Sequence, residues 1–265
     1  MDLNSLSAAV ILNGLRTQFV GRKVVYWPEI GSTNDEARRL AGEGAPEGTL
    51  VITDYQSKGR GRLDRSWVAP LGSSLLMSVV FRPELAAQQV QRLTMSCGLA
   101  VAGAIELQTG LRAGLKWPND VVIGGAKVGG ILTEIGFAGA QVEFAVVGIG
   151  LNVNLDPALL PADLPGPATS LCHELGTEVA RLPLLLTLLQ SIEEQYLTLK
   201  AGQSPHAEWA GRLVTLGKPV TVSASGPALE GTAEGVDADG ALLVRLADGR
   251  LERVLAGDVS PRGLG

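Results

Sequence analysis

One stretch of the 265-residue chain sets four of its 22 cations close together among glycines: Ser57-Lys58-Gly59-Arg60-Gly61-Arg62-Leu63-Asp64-Arg65-Ser66-Trp67. Glycine lets a backbone approach an anion closely, and guanidinium groups offer forked donors to phosphate or carboxylate oxygens. Taken alone, the stretch divides evenly between an anion-binding loop and a solvated basic turn. It is not a P-loop, since no Gly-Lys-[Ser/Thr] follows a four-residue gap, and it lacks the strand–GxGxxG–helix setting of a dinucleotide site. A second stretch, Lys116-Trp117-Pro118-Asn119-Asp120, sets a cation, an aromatic, a rigid turn, an amide and a carboxylate side by side. Alone it is a charged β-turn. Lys127 lies within Gly124-Gly125-Ala126-Lys127-Val128-Gly129-Gly130-Ile131-Leu132. A lysine between glycine pairs reads by itself as a hairpin residue in solvent. Gly148-Ile149-Gly150-Leu151-Asn152-Val153-Asn154 reads by itself as a strand bulged at its glycines. Ser32-Thr33-Asn34-Asp35, just ahead of an Ala- and Arg-rich run, reads as a helix start capped by a hydroxyl or amide side chain.

These residues need elements to hold them. Residues 24–27, 49–53 and 73–81 are rich in β-formers, with Gly and Pro between them, and predict strands. Val90, Leu93, Cys97, Ala100, Val101 and Ala104 recur at helical spacing and predict a long core helix over 88–109. Three further strands are expected near 114–117, 127–137 and 141–153, with Gly124-Gly125-Ala126-Lys127 making a tight reversal. The proline-rich segment 156–167 reads as a loop, and 182–200 as a second long helix opened by Pro183. After about Leu213, short β-rich pieces alternate with Gly, Asp-Gly and Pro turns, as in a small antiparallel barrel. The expected layout is α+β, with a large domain over residues 1–210 and a β module over residues 211–265.

Hydrophobic residues make up 46% and charged residues 18%, so burial is favoured over disorder. A net charge of -5 offers no general electrostatic reason to bind nucleic acid. Cys97 and Cys172 lie far apart, which argues against a disulfide framework or a cysteine zinc site and for a reducing cytoplasm. His173 and His206 stand apart from any carboxylate cluster and are read as non-metal residues. The start of the chain carries no evident leader, and no apolar run is long enough to span a bilayer, so a cytoplasmic protein without membrane partners is expected.

The order of the motifs is more specific than any one of them. Ser-Thr-Asn, then Gln56 and Gly-Arg-Gly-Arg, then Lys-Trp-Pro-Asn-Asp, Lys-x-Gly-Gly-Ile-Leu and Gly-x-Gly-x-Asn-Val resembles the biotin protein ligase family. The resemblance is dense over 31–153 and extends less sharply into the C-terminal module. It implies a mixed-sheet catalytic domain of the biotin/lipoate ligase, class II synthetase-like type, followed by an SH3-like β-barrel. It also implies a two-step reaction with biotin and MgATP: biotinyl-5′-AMP forms, then a lysine of a biotin carboxyl carrier domain takes the biotinyl group. Family members are often homodimers through the catalytic sheet.

On that resemblance Ser32, Thr33, Asn34 and Gln56 line the biotin pocket, with Gly130 beside them. Arg60, Gly61 and Arg62 close over biotin and its adenylate, and Lys127 contacts the biotin carboxylate and the α-phosphate. Lys116 steers phosphate oxygens, while Arg65, Trp67 and Asn119 belong to the nucleotide end. Asn152 faces adenine, and Asp120 accepts hydrogen bonds or helps hold Mg²⁺. Trp117 divides evenly between walling the pocket and filling the core. Lys127, Arg60, Arg62 and Lys116 are the residues expected to carry catalysis.

Two features depart from the family pattern. Leu63-Asp64 stands where a polar residue and a glycine are usual, so the loop should be stiffer, with Asp64 pairing to Arg62 or Arg65. Only about thirty residues precede Ser32, against about sixty in a helix-turn-helix module, so a monofunctional ligase without DNA binding is expected. The rival readings are a lipoate or octanoyl ligase, a biotin-sensing regulator and an inactive homologue. Retention of Arg60, Arg62, Lys116 and Lys127 argues against the last.

Overall fold

The computed structural model describes residues 4–63, 65–139, 141–161, 164, 166–223 and 228–261. α1 (Ala8–Gly14) precedes β1 (Val24–Ile30), α2 (Thr33–Gly42), β2 (Leu50–Gln56) and β3 (Ser74–Phe81). α3 (Gln91–Thr109) follows a single 3-10 turn at Ala87–Gln89 and leads to β4 (Gly114–Lys116), β5 (Asp120–Ile123), β6 (Ala126–Ala138) and β7 (Gln141–Asn152). α4 (Leu171–Leu175), α5 (Arg181–Lys200) and α6 (His206–Arg212) then lead to β8 (Pro219–Ser223), β9 (Leu229–Val236), β10 (Leu242–Arg245), β11 (Leu251–Val254) and β12 (Asp258–Pro261).

The first seven strands form one mixed sheet in the order β1-β2-β3-β7-β6-β5-β4. Only β1 and β2 run parallel; every other neighbouring pair is antiparallel. Side chains alternate across a strand, so each strand serves two layers. Leu75, Met77 and Val79 of β3, with Val147, Ile149 and Leu151 of β7, belong to the main core, where α3 packs on α5. On the opposite face Val51, Val80 and Val146 meet Ala37 and Ala41 of α2, whose small side chains let the helix lie close. α2 covers one end of that face. The rows beyond it, Ser78–Gly148–Leu132 and Leu76–Gly150–Gly130, pair across β3, β7 and β6 and form the floor of the site.

The last five strands make an antiparallel sheet in the order β11-β10-β9-β8-β12, in agreement with the β-rich texture after Leu213. This module docks on the catalytic sheet through main-chain and indole contacts. Val214 N–H donates to the Leu115 carbonyl at 2.8 Å, and the buried Trp117 indole donates to the Gly240 carbonyl at 2.9 Å. Arg92 of α3 pairs with Asp239 at 2.8 Å.

Several expectations change in detail. The strand expected near 114–117 is β4, and a second strand, β5, returns against it with Lys116 opposite Asp120. β5 and β6 are joined by Gly124-Gly125, whose φ values of 58° and 89° suit a two-residue hairpin turn. The β7 glycines make no bulge: pairing is in register at Gly148 and Gly150, and the shift lies between Gly136 and Phe137. Ser32 holds the N-cap position of α2 but makes no side-chain cap bond. Gln56 Oε1, at the end of β2, accepts from Thr33 N–H at 2.7 Å instead. α6 was not foreseen, because Trp209 is its one buried residue and leaves no periodic stripe.

Candidate functional site

Glycines at Gly130 and Gly150, opposite one another on β6 and β7, leave the sheet bare where Trp67 lies. A Cβ on Gly150 would meet the indole at 2.5 Å, and one on Gly130 would meet it at 3.2 Å. Lys127 Nζ sits 5.5 Å from the centre of the Trp67 ring, within cation–π range. One row along, a Cβ on Gly148 would fall 2.1 Å from Asn34 Oδ1, so this glycine makes room for the amide. These glycines are therefore retained for space rather than for an unusual backbone.

Ser32, Thr33 and Asn34 open α2 at 4%, 3% and 4% exposure, pressed against β3 and β7. Thr33 Oγ1 lies 3.0 Å from Gln56 Oε1, and Ser78 Oγ lies 2.8 Å from Thr33 Oγ1 and 2.6 Å from Asn34 Oδ1. Asn34 Nδ2 donates to Glu134 Oε2 at 2.7 Å. Buried polar groups linked in this way present a rigid row of donors and acceptors.

The arginine stretch is a narrow hairpin. Gly61 N–H donates to the Arg65 carbonyl at 2.7 Å and Trp67 N–H to the Gly59 carbonyl at 2.9 Å. Leu63, at its tip, takes a left-handed φ of 53° and is exposed. The arginines reach carboxylates of three different elements. Arg60 pairs with Asp35 of α2 and Glu134 of β6. Arg62 lies 3.7 Å from Asp258 of β12, donates to the Gly257 carbonyl at 3.2 Å and to Asn119 Oδ1 at 3.3 Å. Arg65 also pairs with Asp258. The expected pairing of Asp64 lies outside the described residues; Asp258 is the observed partner. Burial pushes the Arg62 guanidinium below its usual range, while Asp258 and Asp120 pull the other way. It remains a cation at neutral pH.

Lys127 pairs with Asp120 at 2.6 Å, and the chain at 167–169 runs beside it. Lys127 N–H donates to the Pro167 carbonyl, and Thr169 N–H donates to the Lys127 carbonyl, both at 2.8 Å. Asn152 is buried; its Nδ2 donates to the Thr169 carbonyl at 3.0 Å, whereas its Oδ1 has no partner among the described residues. The indole N–H of Trp67 is likewise buried without a partner among them. An acceptor and a donor left open in one cavity are places for a ligand to bind.

A cavity of about 770 Å³ gathers nearly all of these residues. The polar row of Ser32, Thr33, Asn34 and Gln56 lines one part, and Arg60, Arg62, Arg65, Lys116 and Lys127 line the rest with Gly61, Trp67, Asn119, Asp120, Gly130 and Asn152. A second cleft of about 810 Å³ shares Arg60, Gly61 and Arg62 with it and is also bounded by Asp35, Thr94 and Glu134. Trp117 touches the cavity but is 1% exposed and anchored to Gly240, so its place is in the seam between the modules. Sequence reasoning missed Asp35, Ser78, Glu134 and Asp258. Ser78 had a faint signal as the one hydroxyl inside the apolar run Leu75–Phe81; the others look like ordinary surface acids. Among the described residues, no group of three or more His, Cys, Asp or Glu could hold a metal by itself.

The sequence matches the family model of the biotin/lipoate A/B protein ligase family over residues 28–152 and that of the biotin protein ligase C terminal domain over residues 215–262. It is 34% identical over 256 residues to the bifunctional ligase/repressor BirA of Bacillus subtilis, covering 96% of this chain and 78% of that one. It is 33% identical over 271 residues to the biotin–[acetyl-CoA-carboxylase] ligase of Mycobacterium tuberculosis, covering 97% and 98%. The solved biotin protein ligase of Aquifex aeolicus, in complex with biotin and ATP, superposes with a TM-score of 0.78 at 29% identity, covering 91% of this chain and 99% of that one.

Proposed function

The chain belongs to the biotin protein ligase family, and we propose that its cavity activates biotin as biotinyl-5′-AMP and passes the biotinyl group to a carboxylase carrier lysine. The observation that carries this reading is a single cavity joining a buried polar row to a set of arginines and lysines. Biotin's ureido group offers N–H donors and a carbonyl that are costly to bury unpaired, and Ser32, Thr33, Asn34 and Gln56 supply matching groups. Its carboxylate then points toward Lys127, over the glycine floor at Gly130.

In the first step a carboxylate oxygen attacks the α-phosphorus and pyrophosphate leaves. Two anions must meet, so Arg60, Arg62, Lys116 and Lys127 lower the repulsion and stabilise charge as it moves to the leaving group. Lys127 is held on the Trp67 face by Asp120, ready to exchange that carboxylate for substrate oxygens. Arg65, Trp67 and Asn119 belong to the nucleotide end, where the open Asn152 Oδ1 suits the amino group of adenine. In the second step the acceptor amine attacks the mixed anhydride carbonyl and AMP departs. The Gly59–Trp67 hairpin shields the anhydride from water until then.

Magnesium fits as a passenger of ATP. Mg²⁺ keeps several water and phosphate ligands and needs few from protein, so the single carboxylate of Asp120 is a sufficient donor set. When bound it would supply charge neutralisation on the phosphates. The reading keeps residues 1–210 as the ligase domain and 211–265 as the accessory β module, with α6 as the bridge between them. It also includes pairing of two copies through an edge of the catalytic sheet, supported by the exposed Trp27 on edge strand β1 and tested by sedimentation. A cytoplasmic setting is supported by the two free cysteines, of which Cys97 is buried with its thiol pushed up to about 12. No described helix is long and apolar enough to cross a membrane.

The test mixes the protein with a biotin carrier domain, biotin and MgATP, and weighs the carrier by mass spectrometry. A biotinyl mass gain that requires ATP supports the reading. A gain with lipoate but none with biotin would replace it with the lipoate-ligase alternative.

A further inference from the structure

Glu134 is absent from every motif, yet it stands where the two halves of the site meet. It lies on β6 opposite Val146, with its side chain 18% exposed. Oε2 accepts from Asn34 Nδ2 at 2.7 Å and from the Arg60 guanidinium at 3.2 Å. Oε1 accepts from Arg38 at 3.2 Å. Asp35, the other partner of Arg60, lies closer at 2.5 Å, but its carboxylate is 60% exposed, so solvent screens that pair more than the one with Glu134.

A carboxylate can only accept hydrogen bonds. Asn34 must therefore turn its NH₂ toward Glu134, which leaves Oδ1 for the Ser78 hydroxyl. With the Ser78 proton on Asn34, the Thr33 hydroxyl is free to donate to Ser78 Oγ, and the row reaches Gln56 through the Thr33 N–H, which donates to Gln56 Oε1 at 2.7 Å. One carboxylate thus determines which way the pocket amide faces and also secures the first arginine of the hairpin. We propose that Glu134 is a positioning residue that holds Arg60 over the site and couples that hold, through Asn34, to the biotin pocket. It does not line the cavity that holds Lys127 and Trp67; its effect passes through Arg60 and Asn34. This inference rests on the ligase reading above.

Glu134→Gln keeps the size but removes the charge and replaces one oxygen with a donor. It cannot satisfy Asn34, Arg38 and Arg60 together. The experiment is a double-mutant cycle on the full chain: wild type, Glu134→Gln, Arg60→Ala and the pair. The probe is added biotinyl-5′-AMP, whose release rate needs no adenylation step. Glu134→Gln should speed release about tenfold, the loss of one charge-assisted hydrogen bond. In the Arg60→Ala background it should add clearly less, about threefold or less, because only the route through Asn34 remains. Arg38→Ala, which removes the exposed partner of the same carboxylate, should leave release unchanged.

An equal effect of Glu134→Gln in both backgrounds would overturn the proposal, as would an equal effect of Arg38→Ala. If Glu134→Gln does not fold, Glu134→Asp, one methylene shorter, is read in the same cycle with the same criteria. A wild type that does not retain biotinyl-5′-AMP at all refutes the ligase reading, and this inference with it. A wild type that retains it, with an additive cycle, refutes the inference alone.

Discussion

The polar row and the arginine hairpin face the same cavity and are built in opposite ways. Ser32, Thr33 and Asn34 are buried, and Thr33 and Asn34 are bonded to neighbours on β2, β3 and β6. Their positions are set by the same packing that makes the sheet. The hairpin is exposed, has a left-handed Leu63 at its tip, and is held by ion pairs to Asp35, Glu134 and Asp258. These pairs are partly open to solvent, and ion pairs of that kind contribute little net stability, roughly 0–1 kcal/mol each, so they locate a loop without locking it. Recognition of a fixed heterocycle calls for the first kind of construction. Covering a labile intermediate and then releasing it calls for the second.

This contrast makes different substitutions fail in different ways. Lys127 belongs to both halves, since it is held by Asp120 and Trp67 and, in the proposed reaction, engages the reacting oxygens. Lys127→Ala should lower the adenylation rate by about 10²–10³-fold, as for loss of a transition-state donor. Pyrophosphate release measures it, and near-normal turnover would remove Lys127 from the chemistry. Gly148→Ala tests the rigid half. The new methyl would fall 2.1 Å from Asn34 Oδ1, so biotin affinity should drop by about tenfold or more while ATP binding persists. Calorimetry with each ligand separately would expose an error if both affinities fell together.

Arg62→Ala tests the movable half. Biotin should still bind, but biotinyl-AMP should escape about tenfold faster and label lysines indiscriminately. Mass spectrometry of a bystander protein reads this directly; retention as tight as wild type would mean that the hairpin is no lid. The smallest effect is expected for Asp258→Asn, which removes the ion pairs of Arg62 and Arg65 to the β module but leaves the Arg62–Gly257 carbonyl contact and the cavity floor in place. Intermediate release should change by about threefold or less, and the difference should shrink at high salt, where exposed ion pairs are screened. A larger, salt-independent change would show that the β module holds the hairpin more firmly than ion pairing allows.

Much of the fold was readable because its signals are local. The long helices carried apolar residues at helical spacing, the central strands were β-rich runs between turns, and Gly124-Gly125 marked its hairpin. β5 was missed because Asp120–Ile123 is only four residues long and begins inside a turn-like motif. The site was readable as a set of cations and glycines, but not as to what each glycine was for. Gly148 and Gly150 looked like a bulge, whereas one makes room for Asn34 and the other for Trp67.

The order of Ser-Thr-Asn, Gly-Arg-Gly-Arg, Lys-Trp-Pro-Asn-Asp and Lys-x-Gly-Gly was sufficient to identify the family without coordinates. Which carboxylate holds which arginine required the folded chain. Glu134 meets Asn34 across 100 residues of sequence, and Arg62 meets the Gly257 carbonyl across 195. An isolated Glu or Asp in a strand carries no mark of its future partner, because an ion pair depends on distance in space. Those distances are set only when β6 and β12 arrive beside the hairpin.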